Sequence, residues 1–379
     1  MKVSLEVKSP VHIGSGEKYT ASEYVKSKGK TKKGNILNII KRIDVSNYFM
    51  SLDDDKKDEF LADLSNPNFN LRDFDKKIPN TYMRYRSINK SKTDIAPTQE
   101  ITEAIKTLNE LYIPGTSLKG AIKSAILYHE LDDEMIYEIS GNVLNNSGRV
   151  DRRAYEKFMD SIFTSKKVQM RSRVQPAQKN IMKFLQVSDS TSIKSPTIYD
   201  VATVMASFRM GHNEFYSRNK RTHEPTLSYL ETIQKGNKLS FNIQNNYDSK
   251  VFAKLGLEDK KHLIDIKNIK KSIFVFSKSL ISNEIEFAED YNISYLEKFY
   301  RNLESENTLD SPVLKIGAGS GFLSTTVGLK IKKYDENLFD KIRSGTRGKT
   351  YDYEFPKSRK ITQIGGMPLG WVKLSFEEN

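Results

Sequence analysis

The stretch Tyr112–Leu131, YIPGTSLKGAIKSAILYHEL, constrains the fold more than any other part of the chain. Pro114-Gly115 ends an extended segment, and Thr116 or Ser117 supplies a side-chain oxygen able to cap the free backbone N–H groups of a helix start. Leu118, Ala121, Ile122, Ala125 and Ile126 then recur at helical spacing, so one face packs on a core while Lys119 and Lys123 share the other. Gly120 is the odd residue. Glycine within a helix costs about 1 kcal/mol against alanine, which predicts that another backbone approaches too closely there for a side chain. A helix N-terminus followed by two lysines a turn apart suits an anion, although a capped core helix with solvated lysines reads equally well. The phrase GTSLKGA is not a nucleotide-binding P-loop. Ala121 and Ile122 follow Gly120 where the phosphate-reaching lysine and the magnesium-binding hydroxyl would stand.

Charge decides the class of partner. Lys and Arg number 61 against 48 Asp and Glu, a formal charge of +13 that calls for a polyanion, nucleic acid before others. The excess is local as well as global. Ser161 to Ser188 carries Lys166, Lys167, Arg171, Arg173, Lys179 and Lys183 with no acid, and Lys341 to Lys360 sets seven cations against Asp352 and Glu354. Such one-signed stretches track a phosphate backbone and bind less as salt rises. Tyr82 to Lys92 interleaves aromatic and cationic residues, a pattern for stacking or phosphate contact that an ordinary surface strand also shows. Without cysteine there are no disulfides or thiolate metal sites, and no apolar run approaches the ~18 residues of a membrane span. A soluble protein of the cytoplasm is expected, with no membrane partner, cofactor or metal. The run Asp53-Asp54-Asp55 reads as solvated surface, and His212 and His223 on a cationic loop lack the carboxylates of a metal site.

In chain order, Val3, Leu5 and Val7 alternate with polar residues as in a half-buried strand. Ser9 to Gly16, SPVHIGSG, stops it in a loop whose glycines let backbone approach a ligand, and His12 there is a packed residue or, less commonly, a general base. Ile36–Ile40 is a second strand, and residues 44 to 80 read as an inserted set of short helices. Phe184–Asp189, Ile198–Phe208 and Leu227–Ile243 are extended, the last with a turn at Lys235-Gly236-Asn237. Lys254–Phe287 is lysine-rich and mixed, and Ala288–Glu304 is helical. Pro312–Ile316 leads into Gly317-Ala318-Gly319-Ser320-Gly321, which is not the dinucleotide fingerprint but leaves amides exposed ahead of a helix at Phe322–Val327. The sequence closes with a turn and the strand around Trp371.

Taken together, SPVHIGSG, YIPGTSLKGAIKSAIL, IGAGSGF and PLGWVKL resemble the RAMP superfamily of CRISPR proteins, from end to end of the chain. Within it they look most like the fifth-subunit family of the Csm complex, the type III-A interference ribonucleoprotein. The resemblance implies an α+β fold of two ferredoxin-like (RRM-like) units with helical insertions. The units would span 1–235, with insertions near 44–110 and 130–180, and 236–379, with the glycine-rich loop. It further implies a subunit that caps the 3′ end of the CRISPR RNA, contributes to its maturation, sits beside a RAMP backbone subunit and recruits a host nuclease. Backbone subunits that cut RNA use an aspartate after the first strands. Glu17 to Ile43 contains none, so that activity is not expected.

The leading expectation is therefore a non-catalytic RNA-binding subunit acting in defence against foreign nucleic acid. Its expected RNA contacts are His12, Gly14, Ser15 and Gly16; Ser117, Lys119 and Lys123; Arg171 and Arg173; and Gly317, Gly319, Ser320 and Gly321. The enzyme alternative is a metal-independent CRISPR repeat endoribonuclease in which His12 takes the 2′-hydroxyl proton, Lys18 or a downstream cation steadies the phosphorane and the glycine loop grips the backbone.

Overall fold

A computed structural model of the protein describes residues 1–143, 151–165, 179–207, 213–216, 218, 225–347 and 355–377. The alternating N-terminal segment forms the strand Lys2–Val7 at the centre of a five-stranded sheet. Leu5 lies between Leu239 of Lys238–Asn245 and Leu374 of Trp371–Phe376, both antiparallel to it, and Val3 faces Phe241. Because side chains alternate with period two, this register stacks the apolar residues of three strands into one buried row. Each such Leu, Val or Phe contributes roughly 1.5–3 kcal/mol by leaving water. Leu185–Val187 extends the sheet beyond Lys238–Asn245, and Val313–Lys315 beyond Trp371–Phe376.

The helices Gly115–Glu130 and Ile266–Asp290 pack on each other and complete the core over that row. Within this sheet and its two helices the chain order is strand, helix, strand, strand, helix, strand, with the second sheet's strands inserted between them, and the closing strand, the first, the third and the second lie side by side. That is a ferredoxin-like βαββαβ unit. Its strands come from both sides of the boundary expected at 235/236, since Lys2–Val7 pairs directly with Lys238–Asn245.

The second sheet does not repeat this order. It runs Gly14–Tyr19, Ile101–Ala104, Leu227–Thr232, Thr197–Ser207, Met83–Asn89, Ile36–Ile43, Tyr24–Lys30, with Asn213–Tyr216 and Ser358–Thr362 also on Thr197–Ser207. Val45–Met50, Asp54–Leu64 and Leu71–Phe74 form the short-helix insertion around Tyr48, Phe60 and Leu71. The aspartate run has a structural purpose there. Asp53 accepts from the Lys56 amide at 2.9 Å as a cap, and Asp54 and Asp55 occupy the first turn, where the helix dipole favours them.

Three local expectations are corrected. Lys254–Phe287 is not mixed, because Ile266–Asp290 is one 25-residue helix; its core residues Ile269, Ile273, Phe276, Leu280 and Phe287 keep helical spacing beneath interleaved lysines. Neither Thr116 nor Ser117 caps Gly115–Glu130. Pro114 holds the cap position, and Asp189 Oδ1 accepts from the Gly115 amide at 2.7 Å, so a carboxylate already occupies the expected anion site. Gly115 has no room for a side chain, since a Cβ would stand 2.2 Å from the Val187 carbonyl oxygen. Gly120 is the opposite case: it is exposed, and a Cβ there meets nothing within 4 Å.

These glycines therefore predict changes of opposite sign in urea unfolding. Gly120→Ala raises the unfolding free energy by about 1 kcal/mol, the helix-propensity difference. Gly370→Ala, at φ +89° with its Cβ 2.2 Å from the Ile316 carbonyl oxygen, lowers it by about 2–4 kcal/mol.

Candidate nucleic-acid interface at the glycine seam

The chain crosses between the sheets after Val7 and again between Thr232 and Lys238, and these crossings are tied together. Val11 and Ile233 exchange backbone hydrogen bonds of 3.0 and 2.8 Å. Onto this seam folds the IGAGSG loop. The Ala318 amide donates to the His12 carbonyl at 2.9 Å, and a Cβ on Gly317 would stand 2.4 Å from that same oxygen. Gly317 also has φ +70°, so both space and backbone conformation exclude a side chain. The closing turn locks the other side: the Gly370 amide donates to Pro10, the Ile316 amide to Gly370, and the Trp371 amide to Ser9 Oγ at 3.0 Å. Leu369 then seals the loop over Tyr199, Val201 and Leu230 of the second sheet.

His12 sits inside the seam, 5 % exposed. Its Nδ1 lies 2.6 Å from the Glu231 carbonyl, which can only accept, so Nδ1 carries the proton. Burial lowers its pKa, and the charges of Lys106 and Lys360 add to that effect against the opposing pull of Glu231. The ring is thus neutral at pH 7. Gly14 leaves room for it, because a Cβ at that position would be 3.2 Å from Nε2.

Beneath His12 lies a polar network that sequence reasoning did not find. The fully buried Glu231 accepts from Tyr19 Oη at 2.8 Å and from the Ala104 amide at 3.1 Å, and it forms a close ion pair with Lys106. Arg42 lies over the Tyr19 ring at 4.5 Å and donates to Glu23 at 2.8 Å. The available signal was a single charged residue in an otherwise uncharged strand, Glu231 within LSYLET. Each charge is paired, as buried charges must be, and the network holds the imidazole's partner strand in place.

The expected site residues divide accordingly. His12, Gly317 and Gly319 build the seam. Gly14, Ser15 and Gly16 are not in a loop but begin the strand Gly14–Tyr19, exposed, with Ser15 Oγ donating to the Glu103 carbonyl at 3.1 Å. Ser320 Oγ donates to the Gly317 carbonyl at 2.7 Å, and Gly321 is exposed with open space around it at the start of Gly321–Thr325. This short helix touches Gly115–Glu130, which brings the SLKGAI helix to the same region. Ser117 is half-buried in that helix's first turn.

Among the described residues no carboxylate pairs with Lys119, and partial burial lowers its pKa. Lys123 is engaged, 3.3 Å from Asp160 and 5.0 Å over the Phe163 ring. Lys18 is bound to Glu100 at 2.6 Å, which removes it from the phosphorane role. Arg171 and Arg173, like His212 and His223, lie outside the described residues. No group of three or more potential metal ligands occurs among the described residues.

All four motif segments thus meet at or beside one seam, and the sequence pattern of the RAMP superfamily matches residues 4–324. The chain belongs to the RAMP superfamily. Among RAMP relatives it is similar to "CRISPR system Cms protein Csm5" of Methanocaldococcus jannaschii, 24% identical over 422 residues, covering 100% of this chain and 89% of the relative. Its fold is similar to a chain in the cryo-EM structure of a Csm–crRNA–target RNA ternary complex of a type III-A CRISPR-Cas system. That match has a TM-score of 0.69 and 24% identity over 99% of this chain and 100% of the other. It is also similar to the crystal structure of T. onnurineus Csm5, with TM-score 0.61 and 22% identity over 97% and 99%.

The state of His12 makes a pH prediction. Its folded pKa lies below the unfolded value of about 6.5, so the unfolded chain takes up the proton first as pH falls. Stability is constant well above pH 6.5 and declines on acidification below it, down to the folded pKa. His129, also lowered by burial, contributes in the same direction. His12→Asn keeps a donor for the Glu231 carbonyl and makes the decline shallower in urea unfolding measured across this range; an unchanged slope would contradict the assignment.

Proposed function

We propose that this RAMP protein is a non-catalytic RNA-binding subunit of a type III-A CRISPR ribonucleoprotein, in which it caps the 3′ end of the CRISPR RNA and contributes to its maturation. Its partners in this reading are the CRISPR RNA and the neighbouring RAMP backbone subunit, in a soluble cytoplasmic complex. No described helix is long and apolar enough to cross a membrane. The observation that carries the reading is the meeting of SPVHIGSG, IGAGSGF and the SLKGAI helix. They present Gly14, Gly16 and Gly321 as exposed backbone, and the helix that packs against the short helix at Gly321 carries a half-buried lysine, Lys119, that no described carboxylate neutralises. Exposed glycine backbone admits a sugar-phosphate chain at close range, and Lys119 adds a positive charge on the helix that packs against the one at Gly321. The resemblance to Csm5 supplies the assembly.

The non-catalytic part rests on His12. A general base must reach the proton it removes, and this imidazole, whose basic nitrogen is Nε2, is buried in the seam. Pure protein incubated with CRISPR repeat RNA in chelator should leave the RNA intact, and cleavage abolished by His12→Ala would favour the endonuclease instead.

Binding should depend on salt. In filter-binding titrations, Lys119→Ala weakens CRISPR RNA binding and lowers the slope of log K against log salt by about 0.7, one phosphate contact to a single strand. Lys123→Ala has the smaller effect because its ammonium is already paired. Reversing charge at Lys119, Lys123, Arg171 and Arg173 together removes several units of slope, and affinity indifferent to salt would refute the reading.

A further inference from the structure

A second cationic surface lies where the second sheet ends its strand order, at Tyr24–Lys30, the opposite end of that order from Gly14–Tyr19. The strands Tyr24–Lys30, Ile36–Ile43 and Met83–Asn89 floor a groove of about 740 Å³, walled by residues 72 to 78 and the loop 91–94. Lys28, Arg72, Lys76 and Lys92 line it from three separate segments, all exposed. Among the described residues none of these four side chains has a hydrogen-bond or ion-pair partner. The other cations there are satisfied: Lys26 binds Asp94 at 2.7 Å and the Ile95 carbonyl, and Lys41 donates to Asn80 at 3.0 Å. Of the two carboxylates in the groove, Asp94 is thus neutralised, while Asp75 accepts from Tyr48 Oη at 2.9 Å. A further hollow of about 350 Å³ shares Lys26, Arg72 and Lys76 and adds Asn70 and Asp73, so the surface continues past the groove as a track with three cations to one acid.

Lysines on an edge strand also discourage strand addition, which could account for Lys28 alone. It does not account for Arg72, Lys76 and Lys92, which belong to a helix, the turn after it and a loop. Four cations against the single unpaired carboxylate of Asp75 still repel one another, and an anionic ligand relieves that cost. The rest of the lining selects the ligand. Asn38 and Asn89 face each other in register on the floor, with Asn89 Oδ1 accepting from Ser91 Oγ at 2.7 Å. Side-chain amides beside cations, along a track, match sugar and base edges beside successive phosphates.

We propose that this groove is a second single-stranded RNA site, separate from the glycine seam. It goes beyond the functional reading above and shares with it only the class of ligand. The track holds phosphates through Lys28, Arg72, Lys76 and Lys92, while Asn38 and Asn89 hydrogen-bond riboses or bases lying across the strands.

The test uses the full chain and a short fluorescein-labelled oligouridine, followed by anisotropy across a salt series. The combined variant Lys28→Glu, Arg72→Glu, Lys76→Glu, Lys92→Glu loses about tenfold or more in affinity, and its salt slope falls by about 2–3. These are surface positions, and an unchanged circular dichroism spectrum verifies folding. As a second readout, 4-thiouridine in the oligonucleotide crosslinks to peptides covering residues 24–30 or 90–94 of the unmodified chain. If the combined variant binds as the parent does while Lys119→Glu is weakened, the groove assignment is overturned and the seam reading survives. If Lys119→Glu is unaffected and the combined variant alone loses binding, the groove stands and the seam reading fails. Displacement of the RNA by polyglutamate at equal charge concentration would overturn the choice of RNA over an acidic protein segment.

Discussion

The structure depends on backbone hydrogen bonds at the place where its two sheets exchange chain. Ala318 to His12, Gly370 to Pro10, Ile316 to Gly370 and the Val11–Ile233 pair join segments that begin, bisect and end the sequence. Such bonds form only if the backbones come within van der Waals reach, and that is why Gly317 and Gly370 stand where any Cβ would collide with a carbonyl oxygen. The ferredoxin-like unit and the second sheet are held in register by this knot. An ion pair ties them again at depth, where Arg359 of Ser358–Thr362 donates to Glu284 of the long helix at 2.6 Å. Burial pushes the Glu284 carboxyl up, but Arg359 and Lys315 outweigh it and hold it below its usual range.

The same close packing separates binding from chemistry. The seam turns one side of each glycine loop inward, where it excludes water and fixes His12 as a neutral ring, and leaves Gly14, Gly16 and Gly321 outward. An imidazole placed this way is a structural wedge between the loop and the strand Leu227–Thr232, supported by the Glu231 network. What remains at the surface is backbone and cation. In the function proposed above, that combination would hold a chain by its phosphates and shape and ask little of its sequence.

Much of the fold was legible in the sequence because its signals were local. Period-two alternation identified Lys2–Val7, and 3.6-residue spacing identified Gly115–Glu130. The long helix Ile266–Asp290 was missed because lysines on its solvent face mask an apolar stripe that is regular once aligned by thirds and fourths. The capping of Gly115 by Asp189, 74 residues away, and the pairing of Lys18 with Glu100 are tertiary events that no window of sequence contains. Both reverse a site expectation, since each supplies a charge partner to a group that looked free. The glycine motifs behaved differently. Their spacing indicated close backbone approach, but only the fold reveals that the two loops approach each other. Gly120 shows the limit of that rule, being a helix glycine that nothing in the chain comes near.

Hydrogen–deuterium exchange of the full chain, alone and saturated with CRISPR RNA, tests the central claim most directly. The account predicts slowed exchange on RNA binding in peptides covering residues 14–16 and 317–321, with residues 8–12 already protected in the free protein. Unchanged exchange across both glycine segments in a complex that demonstrably holds RNA would contradict it.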